Sequence, residues 1–338
     1  MTASAKHLAT PPKRADMEAL RQLVAADLIR VNQVILEYGH SDIGLINDLA
    51  SHIIAAGGKR MRPSLTIAAA KLCGYEGDRH VRLAACVEFI HTATLLHDDV
   101  VDESNLRRGA ATANALWGNK SSVLVGDFLF SRSFQLMVTD GALDVLKILS
   151  DASAIIASGE VHQLMVSHDL SISQDVYEQV ISAKTAALFA AACEIGAVVS
   201  NQPQWRAPLR AYGQALGMAF QLVDDTLDYQ ASVADLGKAI GDDFRDGKVT
   251  LPVLIAYQQA SSDEKTFWEN ALEKGEAIGA DDLHRAKQLL TQHDAFRKTM
   301  EVAEQFAIAA RDAIAAFPES PAKKAMLEAA EFTVNRAY

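Results

Sequence analysis

Little in this chain of 338 residues interrupts a helix. It has only 8 prolines against a hydrophobic fraction of 49%, and its Ala-rich and Leu-rich segments with few breakers favour helix throughout. Cysteine is scarce, with 3 in all. Cys73, Cys86 and Cys193 lie far apart and form no C-x-x-C pair, which argues against zinc. Their apolar neighbours read as ordinary buried thiols, suited to a reducing cytoplasm. Positive charge is in deficit. The formal net charge of −11 argues against nucleic acid as the main partner. No uninterrupted apolar run reaches ~18 residues, so no membrane span is expected. Residues 1–14 are polar, carry two prolines and lack an apolar signal region. They read as a disordered lead before one all-helical domain over 15–338. Nucleophilic triads, P-loops and Rossmann turns are missing too.

What the chain does have is acid at the ends of apolar helices. The run Leu95-Leu96-His97-Asp98-Asp99-Val100-Val101-Asp102 closes one apolar segment, and Arg107-Arg108-Gly109 follow it. On a helix, Asp98 and Asp102 share a face. At ~4 Å and an effective dielectric of ~20, two such carboxylates repel by about 4 kcal/mol, less if water screens them. A divalent cation reverses that sign, and oxygen-only ligands favour Mg²⁺, which keeps waters and usually also binds a substrate phosphate. The two arginines suit phosphate oxygens. The same spacing recurs in Asp224-Asp225-Thr226-Leu227-Asp228, again after an apolar helical run. A lone motif reads equally well as a solvated acidic helix end, but a repeated one argues for a shared function.

Basic residues are local. Gly57-Gly58-Lys59-Arg60-Met61-Arg62-Pro63 reads as a loop entering a helix, where backbone donors and the helix dipole favour an anion. Its bland alternative is a solvated basic turn. His91 lies two helical turns before Asp98 on the same face, whereas His97 reads as structural. Lys184-Thr185 sits inside an apolar stretch, where a lysine is costly unless paired or snorkelling at a helix edge. Gly237-Lys238 and Gly241 to Lys248 form a glycine-punctuated loop after the second acidic cluster. Helical patterns are expected over 16–37, 41–56, 79–101, 121–139, 144–166, 174–199, 205–229, 262–273, 280–292, 294–316 and 320–336.

From about residue 40 onward these ordered motifs resemble the trans-polyprenyl diphosphate synthase family, in its long-chain, octaprenyl- or decaprenyl-forming branch. The resemblance implies an all-α, single-domain bundle around a central apolar cavity, the isoprenoid synthase-like fold. It implies Mg²⁺-dependent, head-to-tail condensation of isopentenyl diphosphate onto an allylic diphosphate. Asp98, Asp102, Asp224 and Asp228 then hold two or three Mg²⁺ ions. Lys59, Arg62, His91 and Arg108 bind isopentenyl diphosphate. Arg107, Lys184, Thr185, Gln221, Lys238 and Lys248 serve the allylic diphosphate, and Lys184, Thr185 and Gln221 steady the nascent cation.

Small residues Ala93 and Thr94, five and four before Asp98, leave a tunnel open where short-chain members place aromatics. Phe89, Leu136 or Met137 then form deeper floors, and a long product follows, a quinone side-chain precursor. The resemblance further implies a homodimer. A long apolar product suggests hand-off at a membrane surface, although no basic amphipathic anchor is visible. Three rivals stand beside this reading. Glu88-x-x-His91 fits half of a di-iron bundle site, but no second pair occurs. A non-catalytic prenyl-binding subunit would be expected to have lost one acidic motif. A cyclase or head-to-head synthase would not call for the second diphosphate site that Lys59, Arg62, Arg107 and Arg108 suggest.

Overall fold

A computed structural model describes residues 17–55, 58, 60–107, 109–230, 241–273 and 279–336. Helix dominates, as the breaker-poor composition predicts. α1 (Glu18–Gly39), α2 (Gly44–Ala55), α3 (Met61–Leu72) and α4 (Arg79–Val101) form the N-terminal half. A two-residue antiparallel pairing, β1 (Leu106–Arg107) with β2 (Ala110–Ala111), follows α4 and supplies the only strands among the described residues. After α5 (Ala113–Trp117) come α6 (Asn119–Asp140) and α7 (Leu143–Val166). α8 (Gln174–Ile181) runs through a π-helical turn, Ser182–Ala186, into α9 (Ala187–Val199), and α10 (Arg206–Gln230) follows. The rest comprises α11 (Asp242–Arg245), α12 (Leu251–Gln259), α13 (Ser262–Trp268), α14 (Ala280–Gln292), α15 (Ala295–Ala313) and α16 (Pro321–Asn335).

The helix ends follow local chemistry. Ser173, Ser261 and Ser320 each accept a backbone N–H at the start of α8, α13 and α16, satisfying donors that a helix leaves unpaired. At Ser261 the Glu264 side chain returns the bond, a complete capping box.

Burial explains the apolar runs. α9 is buried along nearly its whole length, packed against α3, α4, α7 and α10. One buried cluster links α1, α3, α4, α6, α7 and α9, and a second joins α10 to α12, α14 and α15 around the fully buried Trp268. The stretch Gln174–Val199 is long and apolar enough to cross a membrane, yet 78% of its most apolar window is buried inside the fold. Its hydrophobicity is that of a core helix. All three cysteines are free thiols. Residues 1–14 lie outside the described residues.

Candidate active site

The first acidic motif occupies the last turn of α4. Asp102 caps the helix, its N–H donating to Asp98 O at 2.7 Å. The β1–β2 turn folds back so that Arg107 reaches Asp99, with Nε 2.8 Å and Nη2 2.6 Å from Oδ1. Asn114 ties this fold-back in place, donating to Asp99 O at 3.1 Å and Ser104 O at 3.0 Å. Asp98 and Asp102 are left partly open, each facing a lysine. Lys184 Nζ lies 4.0 Å from Asp98 Oδ2 and donates to Glu160 Oε2 at 2.7 Å. Lys248 Nζ lies 3.0 Å from both Asp102 Oδ2 and Asp246 Oδ2.

The second motif ends α10. Asp224 Oδ1 accepts from Arg336 Nη2 at 2.7 Å, and the Arg336 guanidinium stands 4.1 Å above the Phe220 ring. Asp225 is buried. Its Oδ2 takes the Tyr177 hydroxyl proton at 2.6 Å and its Oδ1 accepts from Gln221 Nε2 at 2.7 Å. Gln221 Oε1 in turn accepts from Thr185 Oγ1 at 2.8 Å. Asp228 is fully buried, with Oδ2 3.2 Å from the Asp243 N–H.

The two motifs therefore meet. Lys184, Thr185, Gln221, Asp225 and Lys248 line one cavity of about 110 Å³, and the two lysines carry it across to Asp98 and Asp102. The π-helical turn puts Lys184 and Thr185 side by side on that wall, a distortion common at functional sites. α7 can approach the turn only because residue 159 is glycine, since a Cβ there would lie 2.7 Å from Ala183 Cβ. The Lys248 segment is fastened at its other side by His168. Its backbone N–H donates to Gly247 O at 2.9 Å, and its Nδ1–H donates to Leu272 O at 2.7 Å.

Charge in this region is unbalanced toward acid. Burial, with Glu160 and Asp102 adding to it, raises Asp98 to about 7 despite opposition from Lys184 and Arg107. Burial likewise raises Asp225 to about 7, assisted by Asp243 and Asp224 and opposed by the Tyr177 and Gln221 hydrogen bonds. Burial disfavours the Lys248 charge, but Asp243, Asp102 and Asp246 outweigh it and hold the lysine protonated. Such a site has more anion than its cations neutralise, and its donors are oxygens, which fits a hard divalent cation. Among the described residues no three His, Cys, Asp or Glu side chains gather into a closed metal sphere. The carboxylates come instead from the ends of two separate helices, α4 and α10.

The remaining sequence candidates divide. Arg62 Nη1 donates to His91 Nε2 at 3.2 Å and stacks 4.4 Å over Phe189, so the structure brings these two candidates together. Arg60, in the left-handed region at φ 45°, pairs with Glu88. Glu88 and His91 thus have arginine partners, which removes the support for the di-iron alternative. Lys59, Arg108 and Lys238 lie outside the described residues. Ala93, Phe89, Leu136 and Met137 are buried, and they line neither the 110 Å³ cavity nor a second one of about 600 Å³ between α7, α9 and α10. His97 sits apart, 3.3 Å from Val123 O and 3.4 Å from Asp127. Sequence reasoning missed Tyr177 and Asp225, and it left open whether Arg336 near the C-terminus approaches the site, where the structure bonds it to Asp224. Asp225 stood within the repeated motif, whereas Tyr177 carried no local signal.

An all-α shell with two acidic helix ends and two lysines converging on one cavity defines a class, the helical enzymes that manage a diphosphate. The chain belongs to the polyprenyl synthetase family, whose profile matches residues 44–290. It is 44% identical over 322 residues to the octaprenyl diphosphate synthase of Escherichia coli (strain K12), covering 95% of this chain and 99% of that protein. It superposes on a polyprenyl synthase from Caulobacter crescentus CB15, complexed with calcium and isoprenyl diphosphate, with a TM-score of 0.94 and 49% identity over 97% of this chain and 100% of that one. A decaprenyl diphosphate synthase from Rhodobacter capsulatus gives a TM-score of 0.90 and 48% identity over 96% and 100%. The fold is the isoprenoid synthase fold.

Proposed function

We propose that this trans-polyprenyl diphosphate synthase condenses isopentenyl diphosphate head-to-tail onto an allylic diphosphate, repeating the step to an octaprenyl to decaprenyl product that serves as a quinone side chain. The observation that carries the site assignment is that Lys184, Thr185, Gln221, Asp225 and Lys248 line one cavity, with Lys184 reaching Asp98 and Lys248 reaching Asp102. Asp98, Asp102 and Asp224, with Asp228 behind them, are the residues to hold two or three Mg²⁺ ions. Bound there, the metal supplies charge neutralisation for the departing diphosphate.

The chain's own groups do the rest. Lys184 and Lys248 turn from their carboxylate partners toward the allylic diphosphate, Lys238 joins them there, and Arg107 extends the same positive wall. Heterolysis of the allylic C–O bond leaves a cation, which the Lys184 carbonyl, the Thr185 hydroxyl oxygen and the Gln221 amide face with partial negative charge. Lys59, Arg62, His91 and Arg108 grip isopentenyl diphosphate so that its double bond points at that cation. Holding both reactants contributes on the order of 7 kcal/mol at best. The new C–C bond forms, and the proton lost from the adduct passes to the released diphosphate. The growing tail runs past Ala93 toward Phe89, Leu136 and Met137.

Two further assignments belong to this reading. Val123, Leu124, Phe134 and Val138 on α6 and Leu143 at the start of α7 are exposed large apolar residues, and such a face supports a homodimer. Three free thiols support a cytoplasmic setting. Incubation with isopentenyl and farnesyl diphosphates plus Mg²⁺, followed by product chromatography, tests the activity. Chains extended by several isoprene units are expected, and unextended farnesyl diphosphate would overturn it.

A further inference from the structure

Four side chains from three segments form one hydrogen-bonded line into the cavity: Tyr177 on α8, Asp225 and Gln221 on α10, and Thr185 in the π-helical turn. Their chemistry fixes the direction of every bond. Both contacts favour the ionised form of Asp225 against the burial that opposes it, and in that form the carboxylate only accepts and receives from both neighbours. It takes the Tyr177 O–H on Oδ2 at 2.6 Å and the Gln221 NH₂ on Oδ1 at 2.7 Å. The Gln221 amide cannot then turn over. Its Oε1 faces Thr185 at 2.8 Å and can only accept. Thr185 has a single hydroxyl proton, and this contact consumes it. What the Thr185 oxygen presents to the cavity is therefore lone pairs, never the O–H. A positive centre is attracted by the first and repelled by the second.

Tyr177 is the far end of the line. It is buried, and its ring lies among the apolar residues of the second core cluster. Asp225 uses both oxygens on this line, so the Tyr177 hydroxyl fixes the plane of the carboxylate from the side opposite Gln221.

We propose that Tyr177 is a positioning residue that, through Asp225 and Gln221, holds the Thr185 hydroxyl oxygen with its lone pairs toward the allylic cation. This rests on the condensation reading above, and it adds a residue whose hydroxyl is spent on Asp225 rather than on substrate. Loss of the Tyr177 hydroxyl removes a hydrogen bond to a charged group, a class of contact whose loss corresponds to about tenfold in rate or more.

The test is a double-mutant cycle on kcat with saturating isopentenyl and farnesyl diphosphates and Mg²⁺. Tyr177→Phe should lower kcat about tenfold in the otherwise native enzyme, with KM for isopentenyl diphosphate unchanged. The fraction of farnesyl diphosphate lost to water rather than condensed should rise. In a Thr185→Val background, which keeps the shape but lacks the hydroxyl, Tyr177→Phe should change kcat less than about twofold. An equal drop in both backgrounds would mean a general packing effect and overturn the proposal, as would an unchanged kcat in the single variant. Asp225→Asn, whose amide lets Gln221 turn over, is read in the same two backgrounds and keeps the cycle decisive if Tyr177→Phe does not fold. Native enzyme that fails to extend farnesyl diphosphate at all would strike the condensation reading instead, a distinct result.

Discussion

The two aspartate motifs share one spacing and fold into different environments. In the first, the outer carboxylates Asp98 and Asp102 stay partly open, with 15% and 20% of the side chain exposed, while the middle Asp99 is spent on Arg107. In the second, only Asp224 is open, at 41%, and it is bonded to Arg336. Asp225 and Asp228 are buried, one bonded to Tyr177 and Gln221, the other to the Asp243 N–H. Equal spacing therefore does not mean equal duty. The α4 motif keeps two partly open carboxylates on the lysines of the cavity, while the α10 motif puts Asp225 in the cavity wall, leaves Asp224 to Arg336 and buries Asp228.

That contrast predicts different failures. Asp98→Ala should cut condensation about a thousandfold, the upper end for removing one group that stabilises transition-state charge, and, by removing a charge that burial disfavours, raise rather than lower the unfolding midpoint of the metal-free protein at neutral pH. Asp228→Ala should do the reverse in stability, losing about 1–3 kcal/mol because the Asp243 N–H loses its acceptor. Steady-state kinetics beside urea unfolding separates the two, and equal profiles for both variants would erase the distinction.

Next in size is the tunnel. Ala93 is wholly buried, so Ala93→Phe both shortens the product and strains its surroundings, at about 1–3 kcal/mol. Chromatography of the prenyl alcohols reads the length, and an unchanged distribution would remove α4 from length control.

A pH experiment sharpens the first motif further. The folded Asp98 titrates at about 7, above its ordinary 3.8. A raised acid favours its protonated form in the folded protein, so metal-free stability is highest below about pH 4 as far as this group is concerned. That contribution declines as pH rises to about 7. A divalent cation must displace the proton. Mg²⁺ with a diphosphate should therefore release about one proton per site at pH 6 and almost none at pH 8, measurable by calorimetry in buffers of different ionisation heat. Release that does not change with pH would place Asp98 away from the metal. The smallest effect belongs to Arg336→Ala, which frees the half-exposed Asp224. Screening keeps that bond under about 1 kcal/mol, visible only as a slight shift in chemical unfolding.

Much of this was legible in the residues. Helix content followed from composition, and the repeated acidic spacing marked two helix ends that adjoin one cavity, the second through Asp225 and the first through the partners of Lys184 and Lys248. The Lys184-Thr185 pair stood out because a lysine among alanines needs a partner, and Glu160 and Asp98 supply it. Other parts depend on contacts between distant segments. The β1–β2 turn, which brings Arg107 back to Asp99, is two residues per strand and has no periodicity to read. The π-helical turn has an ordinary helical sequence, and its close packing against Gly159 is a contact between distant segments. Tyr177 lies 48 residues from Asp225, and Arg336 lies 112 from Asp224, separations at which local pattern is silent.

The clamp at His168 has a mechanical outcome. Residue 247 is glycine with φ 69°, and a Cβ there would strike the His168 ring at 2.0 Å, so the backbone just before Lys248 is riveted to the end of α7 and to Leu272. Lys248 then acts as a crane arm on a fixed mast: its ammonium can swing between the acids and an arriving diphosphate by rotating its own side chain, while the mast stays still.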